Sequence, residues 1–205
     1  MSQLKSLLKQ VGEIKSRIAG HDARLADLHT KLEAAKSAPI DYTKIDTDNQ
    51  GQMIQLATRK LVVDILPAQI EQLDQTKGEA MRELAATAES LRRLIDELSA
   101  AEQQKLVTEI AGVLAPYSAP VPFGYHGQTK DPASEIASTL PIVKNVAYWA
   151  TCNTRPVDEG TFPRERKFEI FDRDTLAFVD EVTGIAERYL RNGESFVPEV
   201  FGKKR

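Results

Sequence analysis

The sequence predicts a mainly α-helical protein, in which a long antiparallel coiled-coil helical hairpin is followed by a small C-terminal α+β domain. Three observations lead to this prediction. A heptad repeat of apolar residues runs through the first 35 residues, a second runs through residues 70–101, and a proline- and glycine-rich stretch follows at 116–132. We therefore expect a helical arm, residues 1–115, and a head, residues 116–205, with a linker at 116–132.

The first helix is predicted over about residues 2–36, with Ser2 as its N-cap. Apolar residues recur every seventh position from Leu4 and again three places later, so that nine of ten positions are apolar. These are the a and d positions of a coiled coil, called the seam below, and such a helix needs a partner along its length. The predicted interface on this helix is Leu4, Leu7, Val11, Ile14, Ile18, His21, Leu25, Leu28 and Leu32.

His21 is the polar exception in this seam. A buried polar residue at such a position can fix the register of a coiled coil or mark a loosened layer. An imidazole there could also make the layer sensitive to pH, because histidine titrates near neutrality. The sequence leaves both interpretations open.

A connector at 37–51, read as a turn with an Asx-type cap, leads into a second helix over about residues 52–115. Pro67 lies inside this helix and predicts a kink or a break, since proline lacks a backbone donor and clashes with the preceding turn. The seam returns after the proline. Its predicted interface residues are Ile70, Leu73, Leu84, Leu91, Leu94 and Leu98.

Charge favours pairing between these two helices. Residues 1–38 hold seven Lys and Arg against four Asp and Glu, whereas residues 68–105 hold five against eight. Opposite net charges of +3 and −3 beside matching seams favour an antiparallel hairpin within one chain. The same seams could also pair between chains. Because a two-helix hairpin buries little surface, we expect a further partner, either a second copy or another protein.

The head is predicted to combine short helices and strands. Asp131 and Pro132 supply the N-cap and first position of a helix that runs to about Leu140. Residues 142–151 are rich in β-branched and aromatic side chains and predict a strand, and the alternation at 167–171 predicts another.

A polar loop at 152–166 is expected between the two strands. A last helix then begins at Asp172 or Asp174 and ends near Arg191, before the helix-stop pair Asn192-Gly193. Because an isolated two-stranded hairpin is marginal in water, the sheet could gain a strand from residues 117–126, the tail or a neighbouring chain.

Four aromatic residues are candidate docking anchors. Aromatic side chains dominate interface energetics, although they can equally pack on their own domain. The candidates are Phe123, Tyr125, Phe196 and Phe201.

No residue pattern predicts catalysis, a cofactor or a metal site. Cys152 and His126 form the one thiol–imidazole pair of the C-terminal part, without a signature around them, and the histidines at 21, 29 and 126 lack metal-ligand spacing. Phosphate-binding, dinucleotide-binding, hydrolase and kinase motifs are absent from the sequence. An enzyme with its site in loops 117–166 is an alternative.

Composition narrows the function classes further. The net charge of −3 argues against a protein built mainly to wrap nucleic acid. A nucleic-acid-associated protein is nevertheless an alternative function, and it would bind through the basic first helix or the basic tail Lys203–Arg205. The sequence shows no apolar signal core and no apolar run of about 18 residues, so we expect neither secretion by a signal peptide nor a membrane span.

The sequence thus predicts a non-enzymatic structural or interaction protein. It would bind itself, another protein or both through the coiled coil, and act as a scaffold, adaptor or accessory subunit of a larger assembly. Viral particles are one such assembly, by analogy alone. We expect a cytoplasmic location or a place within a particle assembled inside the cell.

Overall fold

The computed structural model shows a mainly helical protein. It describes residues 3–37, 49–117, 121–123, 128–154 and 168–197. Most of the connector, the loop at 155–166, Ser2 and the tail beyond residue 197 lie outside the described residues. The elements are α1 (Gln3–Ser37), α2 (Gln50–Leu114), a 3-10 turn (Ala115–Tyr117), β1 (Val121–Phe123), β2 (Gln128–Lys130), α3 (Pro132–Thr139), α4 (Pro141–Ala150) and α5 (Phe168–Arg191).

The chain divides into two compact units. One is Gln10–Leu84, called the 10–84 unit, and the other joins Met1–Lys9 with Ala85–Arg205, called the 85–205 unit. The sequence-based boundary at residue 116 stays a prediction.

In the 10–84 unit, α1 and α2 run in opposite directions. Arg17 of α1 forms an ion pair with Glu83 of α2. Nearer the end of α1, the carbonyl oxygen of Ala35 accepts a hydrogen bond from Arg59 Nε at 2.6 Å. Position along α1 therefore rises as position along α2 falls. The residues buried in this unit are Val11, Ile14, Ile18, Leu32, Leu66, Ala80, Met81 and Leu84.

The start of α2 is capped as the sequence predicts for an Asx-type turn. Asn49 Oδ1 accepts the backbone N–H groups of Gly51 at 3.1 Å and Gln52 at 3.2 Å. These groups have no partner within the helix, so the side chain satisfies them.

The sequence predicts a kink or a break of α2 at Pro67, and of these two the break is wrong. The helix continues from Gln50 to Leu114 with the proline inside it. One missing donor and one steric clash destabilise a helix by roughly 3 kcal/mol, which the packing of a long helix can outweigh. The kink itself stays a prediction.

The core of the 85–205 unit is formed by residues of α2, α3, α4 and α5, together with Leu4 of α1 and Phe196 after α5. It contains Leu4, Ala88, Leu91, Ile95, Ala133, Ala137, Val143, Val146, Ala150, Phe178, Val179, Val182, Ile185, Ala186 and Phe196. The buried positions of α4 follow helical spacing, because Val143, Val146 and Ala150 are three and four residues apart.

The predicted α+β head is wrong where its two strands were placed. Residues 142–151 lie almost wholly in α4, and α5 begins at Phe168, within the second predicted strand. Pro141 starts α4 at its first turn, and the helical spacing of buried residues overrides the β propensity of valine, tyrosine and tryptophan. A three-residue antiparallel pair, β1 with β2, lies instead in the predicted linker, with Val121 opposite Lys130.

Two predicted helix ends of this unit are confirmed. Asp131 caps α3 by accepting the N–H of Ala133 at 3.1 Å. The last helix ends at Arg191, after which Gly193 adopts a φ of +73° and the N–H of Glu194 bonds the carbonyl oxygen of Tyr189 at 2.9 Å. This 6→1 bond is the Schellman arrangement that a glycine here permits.

Candidate interaction surfaces

Seam residues in both units are buried or half-buried. Leu4, Val11, Ile14, Ile18, Leu32, Leu84 and Leu91 are buried. The half-buried seam residues are Leu7, His21, Leu25, Leu28, Ile70, Leu73, Leu94 and Leu98. Of the seven α1 seam residues in the 10–84 unit, four are buried and three are half-buried.

Sequence reasoning missed one row of buried residues on α2. Met81, Ala88 and Ile95 are at most 3% exposed, whereas the predicted seam residues Leu94 and Leu98 are half-buried. The missed residues are seven apart, so their spacing carried the signal. Methionine and alanine made this row less visible than the leucines beside it.

A groove of about 430 Å³ lies at the His21 layer of the 10–84 unit. Five of its seven lining residues have polar side chains: the lining is His21, Arg24, Leu28, Gln69, Gln72, Leu73 and Thr76. The Nε2 atom of His21 is buried and has no hydrogen-bond partner among the described residues. Next to it, Asp22 pairs with Lys77 at 2.9 Å. The structure therefore supports the interpretation of His21 as a loosened layer.

Cys152 lies at the end of α4 beside a carboxylate of α5. Glu181 accepts the backbone N–H groups of Asn153 and Thr154, both at 2.8 Å, through its two carboxylate oxygens. The Cys152 thiol donates to the carbonyl oxygen of Thr154 at 3.2 Å. Glu181 thus ties the chain after α4 to α5.

This environment keeps the thiol protonated. Burial, followed by the charge of Glu181, raises the pKa of Cys152 from its ordinary 9.0 to about 11. Burial pushes the pKa of Glu181 upwards, but hydrogen bonds from Thr154 and Asn153 outweigh it and lower that pKa overall. Because the thiolate is the nucleophile, Cys152 has the chemistry of a structural thiol at neutral pH. His126 lies outside the described residues.

Within the described ranges, no group of three or more His, Cys, Asp or Glu residues is placed to hold a metal ion. In the same ranges, no helix is both long and apolar enough to cross a membrane.

The four predicted docking aromatics differ in outcome. Phe196 is 4% exposed, and its ring lies 4.5 Å from that of Tyr189. The docking prediction is therefore wrong for Phe196, which packs on its own chain because its backbone is held beside α2. Phe123 lies in β1. Tyr125 and Phe201 lie outside the described residues.

A different aromatic cluster is exposed in the 85–205 unit. Tyr148 and Trp149 meet edge to face with ring centroids 5.7 Å apart, and the Arg188 guanidinium lies 5.2 Å from the Trp149 centroid. Tyr148 is 73% exposed and Trp149 is 38% exposed. Sequence reasoning missed this cluster because it placed both aromatics in a strand.

An apolar stripe is exposed on the first half of α2. Ile54, Leu61 and Ile65, called the α2 stripe, are each between 43% and 58% exposed. At 100° per residue, the three fall within about 40° of each other around the helix. Arg59 and Leu66, which face α1 or the core, fall on the opposite side. The first half of α2 is therefore apolar on two faces.

No protein-family model, no curated protein and no solved structure matches this chain.

Proposed function

We propose that this chain is a non-enzymatic structural or interaction protein. Its α1 and α2 seams form an antiparallel coiled coil within one chain, and the α2 stripe is the surface by which it joins a second copy or another protein. In this role it is a scaffold, adaptor or accessory subunit of a larger assembly.

The exposed α2 stripe is the observation that carries the proposal. Single apolar residues on a surface are ordinary, but three aliphatic side chains in a row on one helix face are typical of an interaction site. Their spacing of seven and four residues is that of coiled-coil positions, so a second helix can pack along them.

The contacts within the 10–84 unit support this assignment. The Arg17–Glu83 ion pair and the hydrogen bond from Arg59 to the Ala35 carbonyl oxygen join α1 to α2, which supports use of the heptads inside the chain. The α2 stripe is the apolar helix face of this unit that keeps coiled-coil spacing and stays exposed among the described residues.

The arrangement also bears on the nucleic-acid alternative. Arg17, Lys31 and Lys36 of α1 each pair with a carboxylate, those of Glu83, Asp27 and Glu33. Cations that already meet acidic partners contribute less to a phosphate-binding surface. No specific contact of the described residues favours nucleic acid, and we do not adopt that function.

The proposal is tested by light scattering on the purified chain across a concentration series. Three aliphatic residues per copy bury less surface than the roughly 800 Å² per partner of a standard complex. We therefore expect weak association, in which the mass rises with protein concentration. Leu61→Asp places a charge in the stripe and should leave a monomer at every concentration. Because the Leu61 side chain is 58% exposed, the thermal unfolding temperature of the Leu61→Asp variant should stay close to that of the wild type.

Val113→Asp is the matched control. Val113 lies on the same helix and is 70% exposed, but is not part of the α2 stripe, so this variant should associate as the wild type does. Association of Leu61→Asp equal to that of the wild type would contradict the role of the stripe, and a wild type that is monomeric throughout would contradict self-association through it.

A further inference from the structure

We propose that the cluster of Tyr148, Trp149 and Arg188 is a docking site for an acidic segment of another protein that also carries apolar side chains. The partner's carboxylates would bind the cations around the cluster, and its apolar side chains would cover the exposed aromatic edges. This site belongs to the 85–205 unit and is independent of the α2 stripe.

The geometry of the cluster suits protein recognition. Tryptophan, tyrosine and arginine are the residue types most enriched among interface hot spots. Here the three are already held together, by an edge-to-face ring contact at 5.7 Å and a cation–π contact at 5.2 Å. Binding would therefore fix few additional side-chain rotations, which lowers its entropic cost.

The charges around the cluster define the partner's sign. Lys144 lies one turn before Tyr148 on α4, and Arg191 lies one turn after Arg188 on α5, so each shares a face with its neighbour. Both are exposed. Neither they nor Arg188 form an ion pair among the described residues, in contrast to the paired cations of α1. Exposed Glu187, one turn before Arg191, is the carboxylate on this part of α5. Three cations that form no ion pair among the described residues outnumber it and, beside two exposed aromatics, complement an acidic surface.

The position of Arg188 favours a protein carboxylate as the acidic group that binds here. A guanidinium that stacks on an aromatic ring keeps its N–H donors in its own plane, where they can bind both oxygens of a carboxylate. The Arg188 guanidinium lies over one face of the indole, 5.2 Å from its centroid. A nucleic-acid base would need such a face to stack on, so the arrangement favours a protein carboxylate over a single-stranded nucleic acid.

Trp149 makes the proposal directly testable, because the chain contains one tryptophan. The probe is a short synthetic peptide of glutamate and leucine, titrated into the full chain while the indole emission is recorded. We expect a saturable change in emission that weakens as salt is added. The same peptide with glutamine in place of glutamate, and an oligothymidylate, should leave the emission unchanged.

Arg188→Glu tests the central cation, and Arg82→Glu, an exposed arginine of α2, is the control with the same change in charge. We expect Arg188→Glu to weaken peptide binding at least about tenfold, because it replaces a charge-assisted hydrogen bond with a repulsive charge. Arg82→Glu should bind as the wild type does. If Arg188→Glu does not fold, Lys144→Glu replaces it with the same expectation.

Four results would overturn the proposal: no emission change with the acidic peptide, equal binding of the glutamine peptide, binding of the oligothymidylate instead, or equal weakening by Arg82→Glu.

Discussion

The carboxylate of Glu102 accepts a hydrogen bond from the backbone N–H of Phe196 at 2.7 Å. It also accepts one from the Ser195 hydroxyl. The segment that follows α5 is thereby held against α2, and the Phe196 ring is buried next to Tyr189. Phe196 therefore lies in the core of the 85–205 unit, and the Glu102 carboxylate helps to hold its backbone there.

Glu102→Ala should lower the free energy of unfolding by about 1–3 kcal/mol, because it leaves a part-buried N–H and a hydroxyl without their acceptor. Glu102→Gln keeps one acceptor oxygen and should lose less. Urea denaturation followed by circular dichroism measures both. Glu97→Ala, an exposed glutamate on the same helix, should stay within about 0.5 kcal/mol of the wild type. Equal effects at positions 97 and 102 would contradict the anchoring role.

Features with short-range chemistry could be predicted from the sequence. The cap at Asp131 and the stop at Gly193 each depend on one residue and its immediate neighbours. The α1 seam was predictable as well, since a period of seven repeated over its length has few structural alternatives. The opposite net charges of the two helical segments were visible in the composition, and the Arg17–Glu83 ion pair joins these two segments.

Features that depend on which helix faces are buried by tertiary packing could not be predicted from the sequence. Residues 142–150 read as a strand because β-branched and aromatic residues dominate, yet Val143, Val146 and Ala150 are buried at helical spacing. Over so short an apolar run, period alone does not separate helix from strand. The α2 stripe was equally hidden, since a helix with two apolar faces shows a broad apolar surface and not two stripes.

Cys152 should react slowly with alkylating reagents in the folded chain. Because its pKa is raised to about 11 by burial and by Glu181, little thiolate exists near neutrality. We expect the rate of alkylation by iodoacetamide to rise with a midpoint near pH 11 in the folded protein and near 9.0 in urea. A folded-state midpoint at or below 9.0 would contradict the burial of this thiol.

The same shift predicts a change in stability with the sign opposite to that of a carboxylate whose pKa is lowered by hydrogen bonds, such as Glu181. Above pH 9.0 the unfolded chain releases the thiol proton while the folded chain retains it. The free energy of unfolding should therefore fall between pH 9.0 and about 11, and the thiol should have no effect below this range. Cys152→Ala removes this contribution, so the stability of the wild type relative to this variant should fall across this interval. A constant difference would contradict the prediction.

His21→Leu should stabilise the 10–84 unit. The Nε2 atom of His21 is buried without a partner among the described residues, and an unsatisfied buried polar atom costs about 1–3 kcal/mol. The adjoining groove of about 430 Å³ leaves room for a leucine, so overpacking is not expected. We expect a gain of about 1 kcal/mol in the free energy of unfolding, measured by urea denaturation. His29→Leu, exposed on the same helix, controls for added hydrophobicity and should change little. A loss of stability in His21→Leu alone would mean that the imidazole fixes the register of this layer.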